Sequence, residues 1–229
     1  MVNILHSSIA INEKWCFETF SKYIKPQNRV LVIGLSFRDT QVANKEQWED
    51  LYGKNGGKYY ESIVQSFAPY GIMESDFEWV NYFSDSSKTA KTKIKNADIL
   101  YFPGGLPDKL YSRAVDLDLL EDIRSHSGVI MGFSAGAMAQ LSEYHITPDK
   151  DYPDYCYGKG FGLIDDFGID VHYDVTDEIQ HKSIKRFIAE KKKPLYAIAD
   201  DGAVIVSNGN IAMLGNVAYF DCPISSKKD

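Results

Sequence analysis

Val129-Ile130-Met131-Gly132-Phe133-Ser134-Ala135-Gly136-Ala137-Met138-Ala139 is the stretch on which the reading of the whole chain turns. Three strand-type apolar residues run into Gly-x-Ser-x-Gly, and small helix-compatible residues follow at once. That order suits a nucleophile elbow, in which a serine sits at the tip of a sharp strand-to-helix turn and flanking glycines let neighbouring backbone approach. The helix starting there brings its positive end and free N–H groups beside the serine, where an oxyanion would develop. The same residues also read as an ordinary βα turn with Ser134 as a helix N-cap.

Outward from this turn, short apolar runs predict strands over 30–33, 77–80, 99–102, 129–131, 169–172 and 195–198. Helical spacing predicts helices over 13–24, 57–68, 88–95, 108–126 in one or two pieces, 135–143 and 178–193. Continuous apolar strands alternating with helices argue for a mostly parallel sheet covered on both faces. Near the C-terminus, 203–206 and 211–214 flank Ser207-Asn208-Gly209-Asn210, and Asn-Gly suits the positive φ of a tight hairpin turn, placed at the sheet edge. Thr147 to Gly162, with its Pro, Asp, Tyr and Gly, reads as a long loop, either a lid or a surface excursion.

The totals fit one domain over 1–229. Hydrophobic residues make up 44% and charged residues 25%, as in soluble globular proteins. A net charge of −7 gives no bulk attraction to phosphate backbones or anionic lipid, so neither nucleic acid nor membrane is an expected partner. Cys16, Cys156 and Cys222 form no metal-ligand spacing, no segment has the length of a membrane helix, and the N-terminus lacks a signal-peptide pattern. A reduced, cytoplasmic protein is expected, with the edge hairpin a possible contact for a homodimer.

A serine nucleophile needs a base at the same sheet rim and an acid to orient it. Of the five histidines, His172 ends a predicted strand, while His6 and His145 stay open as alternatives. His126 reads as a helix terminus and His181 as part of a charged helix face. No histidine follows His181, so the Ser–acid–His order of α/β-hydrolases does not fit, and the acid is sought after His172. Asp200-Asp201, after the 195–198 run, is well placed; Asp149 is the other candidate. Pro103-Gly104-Gly105 forms a second rim turn, so a Gly104 or Gly105 N–H could join that of Ala135 in an oxyanion hole.

Pro103-Gly104-Gly105, Gly132-Phe133-Ser134-Ala135-Gly136-Ala137, the strand ending in His172, and Asp200-Asp201-Gly202 together resemble the S51 serine peptidases, which include aspartyl dipeptidase (peptidase E) and cyanophycinase. The resemblance runs from about residue 28 to 220. It implies a three-layer α/β/α sandwich of the class I glutamine amidotransferase-like kind, hydrolysis of small peptides, and no metal or organic cofactor. It aligns Ser134 with the nucleophile, His172 with the base and Asp201 with the acid, where the family usually has Glu; Asp149 matches a lesser candidate. Peptidase E-like members favour an N-terminal aspartate, for which Arg186 or Lys185, on a basic helix, would be the cation. The alternatives are an amidase or esterase on a non-peptide acyl group, or a catalytically silent binding protein.

Overall fold

Eight strands form one sheet in a computed structural model that describes residues 1–222. Its parallel part is β1 (Val2–His6), β2 (Val30–Ile33), β3 (Phe77–Val80), β4 (Ile99–Phe102) and β5 (Val129–Phe133), in the order β1-β5-β4-β2-β3. Successive side chains of a strand point to opposite faces. Val30, Val32, Ile99, Tyr101 and Met131 therefore enter one core, and Leu31, Ile33, Leu100, Phe102 and Ile130 the other.

Helices α1 (Lys14–Phe20), α2 (Lys45–Tyr52) and α3 (Tyr60–Phe67) bury Phe20, Trp48, Tyr52, Ile63 and Phe67 against the first face. On the second face, α4 (Ser87–Asn96), α5 (Pro107–Asp116) and α6 (Leu120–Arg124) bury Ala90, Ile94, Leu110 and Ile123. The result is the expected three-layer α/β/α sandwich, with 108–126 in two pieces.

Four expectations change. The N-terminal segment forms the central strand β1, between β5 and the late strand β9 (Leu195–Ser207). Helix α2 was not expected: it buries few apolar residues, and its start is fixed by Asn44, whose side chain accepts the Gln47 N–H at 2.9 Å. The helix after Ser134, α7 (Ala135–Met138), stops after one turn, because the returning Phe161 and Leu163 N–H groups take the carbonyls of Ala139 and Gln140. Finally, 147–162 is not one long loop: β6 (Glu143–Ile146) and β7 (Cys156–Lys159) pair as an antiparallel ribbon.

The sheet's other end positions the site. β8 (Gly168–Val171), helix α8 (Glu178–Lys191), β9 and β10 (Asn210–Phe220) follow in the chain, and Asn208 and Gly209 turn the β9–β10 hairpin with positive φ, as expected. β10 is the edge strand. Strand β9 is continuous through Asp200-Asp201-Gly202 and changes partner along its length: its first part runs parallel to β8, its last part antiparallel to β1. β8 and β1 therefore lie end to end along one side of β9, pointing at each other, with their C-termini facing a gap spanned by 199–202. Within that gap the β9–β10 register jumps from Ile198↔Val217 to Gly202↔Gly215, so Ala199, Asp200 and Asp201 oppose Asn216 alone. This is a bulge with two extra residues in β9, a device that re-aims side chains near sites. Glycine permits it: a Cβ on Gly202 would meet the Asn216 carbonyl at 2.2 Å, and one on Gly215 (φ 67°) the Asp201 carbonyl at 2.0 Å.

Candidate active site

Ser134 sits between β5 and α7 with φ 52° and ψ −118°, in a region that non-glycine residues rarely enter and that costs on the order of 1–3 kcal/mol. Its side chain makes no capping hydrogen bond to α7, which removes the N-cap reading. The two motif glycines are steric requirements. A Cβ on Gly132 would meet the Gly136 carbonyl at 2.4 Å, and one on Gly136 the Phe102 carbonyl at 2.0 Å. The Ser134 N–H donates to the His6 carbonyl at 2.9 Å, tying the elbow to the end of β1.

His172, directly after β8, also has positive φ (55°). Its Nε2 lies 2.9 Å from Ser134 Oγ and its Nδ1 2.7 Å from Asp200 Oδ1. A carboxylate only accepts, so Nδ1–H donates to Asp200 and Nε2 is left to accept the serine O–H. The carboxylate that reaches the imidazole is therefore that of Asp200, not Asp201; the bulge decides which of the two is aimed there. Asp149 does not serve either. Its Oδ1 accepts the N–H groups of Asp151 and Tyr152, both at 2.8 Å, closing a local turn.

Two buried side chains hold the strained His172 backbone. Ser7, just past β1, accepts the His172 N–H at 3.0 Å and donates to the Ile198 carbonyl at 2.6 Å, bridging the head-on junction. Gln180 on α8 donates to the carbonyls of Val171 (3.1 Å) and His172 (3.3 Å) and accepts the Asp174 N–H. Neither was singled out in the sequence, where a lone Ser or Gln carries no signal.

The remaining candidates lie elsewhere. His6 is fully buried; its Nδ1–H donates to the Ser8 carbonyl at 2.6 Å, and burial lowers its pKa to about 4. His145 is buried against the rings of Tyr155 and Phe187. Arg186 pairs with Glu190 at 2.8 Å and stacks on Tyr155, while Lys185 is exposed on the same helix; neither lines a cleft beside Ser134.

For an oxyanion, the Ala135 N–H belongs to the first helical turn, whose amides lack intrahelical acceptors. Opposite it, the Gly104-Gly105 turn packs closely: a Cβ on Gly105 (φ 138°) would meet the Ser36 carbonyl at 2.2 Å. The Leu106 N–H is taken by that carbonyl at 2.7 Å, so Gly104 and Gly105 are the candidates for the second donor. Two clefts flank Ser134 and His172, one of about 460 Å³ and one of about 280 Å³. At the larger, Arg38 and Asp151 form a bidentate ion pair that holds the Asp151 carboxyl below its usual range. Arg113, buried in α5, fixes that wall through the carbonyls of Leu35 and Phe37 and the carboxylate of Asp39.

A hydroxyl in line with an imidazole and a carboxylate, on an elbow at the rim of an α/β/α sandwich, defines a serine hydrolase site. The model of peptidase family S51 matches residues 53–214. The chain belongs to that family, and it is a serine-type peptidase. Among solved structures, a Listeria monocytogenes EGD-e protein assigned as a peptidase E is 18% identical, with a TM-score of 0.68 over 94% of this chain and 98% of that one. A peptidase from an acI-B1 Actinobacterium is 16% identical, with a TM-score of 0.67 over 96% of this chain and 90% of that one. These two likenesses carry the fold. No curated protein matches the chain at a significant level.

Proposed function

We propose that the protein hydrolyses small peptides with Ser134 as nucleophile, His172 as general base and Asp200 as the carboxylate orienting it. The observation carrying this reading is the unbroken relay from Ser134 Oγ through both nitrogens of His172 to Asp200, at 2.9 and 2.7 Å.

His172 Nε2 takes the serine proton as Oγ attacks the amide carbonyl, and Asp200 stabilises the resulting imidazolium. The carbonyl oxygen becomes an oxyanion held by the Ala135 N–H and a Gly104 or Gly105 N–H; loss of one such donor typically costs about 10² to 10³ in rate. The imidazolium then protonates the leaving amine, the C–N bond breaks, and an acyl-serine remains. Water, deprotonated by His172, releases the acid and restores the hydroxyl. Clefts of about 460 and 280 Å³ suit substrates of a few residues. A reducing cytoplasm fits the unbonded thiols of Cys16 and Cys156. Among the described residues no helix is long and apolar enough to cross a membrane.

The test is a fluorophosphonate label with a dipeptide panel run beside Ser134→Ala. The reading requires covalent labelling and hydrolysis in the wild type and neither in the variant. A folded wild type that does neither refutes it.

A further inference from the structure

The larger cleft beside Ser134 is built for an apolar occupant. Its floor is Phe37, Tyr52 and Ile63, all buried, and its sides include Leu51, Tyr59 and Phe133. Burial of Tyr52 pushes its phenol pKa up to about 12, so the floor carries no charge at neutral pH. The charged groups around the cleft are two cations, Arg38 and Lys150, and two acids, Asp149 and Asp151. Arg38 is spent on Asp151, Asp149 on its own turn, and Lys150 is exposed. A carboxylate entering this space would lose its water without gaining a dedicated partner, which is costly for a charge. The smaller cleft is no better for an acid: among the described residues it is lined by Asp149, Asp170 and Asp177, and by no lysine or arginine.

We propose that the larger cleft is the specificity pocket of the enzyme and takes a large aliphatic or aromatic side chain from a residue next to the scissile bond. The protein then prefers bulky apolar dipeptides to those with aspartate. This rests on the reading of Ser134 as the nucleophile, because that places the pocket against the bond to be cut. Its size agrees: about 460 Å³ lies within the range of small-ligand pockets, which are mostly apolar with a few convergent polar groups.

The experiment separates the pocket from the chemistry. Dipeptides X-Ala and Ala-X, with X as Phe, Leu, Ala or Asp, are titrated into Ser134→Ala by calorimetry, so that binding is read without turnover. In one of the two series Phe or Leu should bind at least about tenfold more tightly than Ala, within the 10- to 200-fold that apolar pockets discriminate, and Asp no better than Ala. Leu51→Trp, which fills the pocket from its side, should erase that advantage, and Tyr59→Ala should weaken it. Tightest binding by Asp, or no dependence on X in either series, overturns the proposal. Hydrolysis of the same peptides by the wild type tests the nucleophile independently. Binding that follows apolar size without turnover would refute the peptidase reading and leave the pocket standing.

Discussion

Replacing Asp200 with alanine, beside the same change at Asp201, tests which carboxylate the bulge delivers to His172. In the wild type the Asp200 carboxylate and the imidazole are 2.7 Å apart, with side chains 71% and 51% exposed. Two unit charges centred about 4 Å apart attract by about 1 kcal/mol in water and about 4 kcal/mol at an effective dielectric of about 20. Exposure places this pair between those limits. At about 1.4 kcal/mol per factor of ten, Asp200→Ala should slow attack by Ser134 about fivefold to several hundredfold, less than the ~10⁴ typical of an enclosed triad aspartate. Asp201→Ala should stay within about threefold of wild type. Asp200→Asn should fall at least as far as the alanine variant, because an amide can fix the wrong imidazole tautomer. The assay is the second-order rate of fluorophosphonate labelling of Ser134, which needs no knowledge of the natural substrate, with the unfolding midpoint of each variant as a control. A larger loss in Asp201→Ala than in Asp200→Ala would refute the assignment.

Gly136→Ala should lower the urea midpoint by the equivalent of about 3 kcal/mol or abolish soluble expression, because its Cβ must displace the Phe102 carbonyl. Gly56→Ala, where the added Cβ meets nothing within 4 Å, should cost only about 1 kcal/mol for its positive φ. Ser7→Ala strands the His172 N–H, while the Ile198 carbonyl keeps the Tyr173 N–H; it should cost about 1–3 kcal/mol of stability and lower kcat with little change in KM, as steady-state kinetics will show. His6 imposes a pH dependence. Its folded pKa of about 4 lies below the unfolded value of about 6.5, so between these the unfolded chain binds the extra proton. Stability is complete above about pH 6.5 and falls as pH drops towards about 4, by up to about 1.4 kcal/mol per unit. Urea titrations of His6→Gln at pH 7 and 5 should show a shallower loss than wild type.

Much of the core architecture was legible because buried parallel strands write themselves as apolar runs. Val30–Ile33, Ile99–Phe102 and the Ser134 elbow needed no tertiary information. What escaped depended on partners distant in sequence. β1 is five residues ending in His6, with Ser7-Ser8 directly after, strand-like only because β5 and β9 flank it. Helix 135–143 was cut short because the Ala139 and Gln140 carbonyls accept from the Phe161 and Leu163 N–H groups. The Ser134–His172 pair, hydrogen-bonded at 2.9 Å, was legible as a candidate from local pattern and rim position. The choice between Asp200 and Asp201 could not, since it depends on a register jump against β10. Arg186 looked like a substrate cation because a helical charge run says nothing about which way it faces; Glu190 holds it.

Across the head-on meeting of β1 and β8, the proposed base rests in part on packing that the proposed nucleophile does not share. Ser134 stands on the parallel sheet, clamped between its two large cores. His172 stands on β8, whose Ile169 and Val171 share a third core with Leu5, Ala137 and Met138, and whose other face rests on a small cluster of Ile184 and Phe187 from α8 with Leu195 and Ala197, where Gly168 lies so close to the Phe187 ring that a Cβ would meet it at 2.4 Å. Lesions in that small cluster should therefore behave like misalignments rather than collapses, leaving a well-folded protein whose serine has lost its proton acceptor. A survey of inactive but stable variants would map this minor packing unit by function alone.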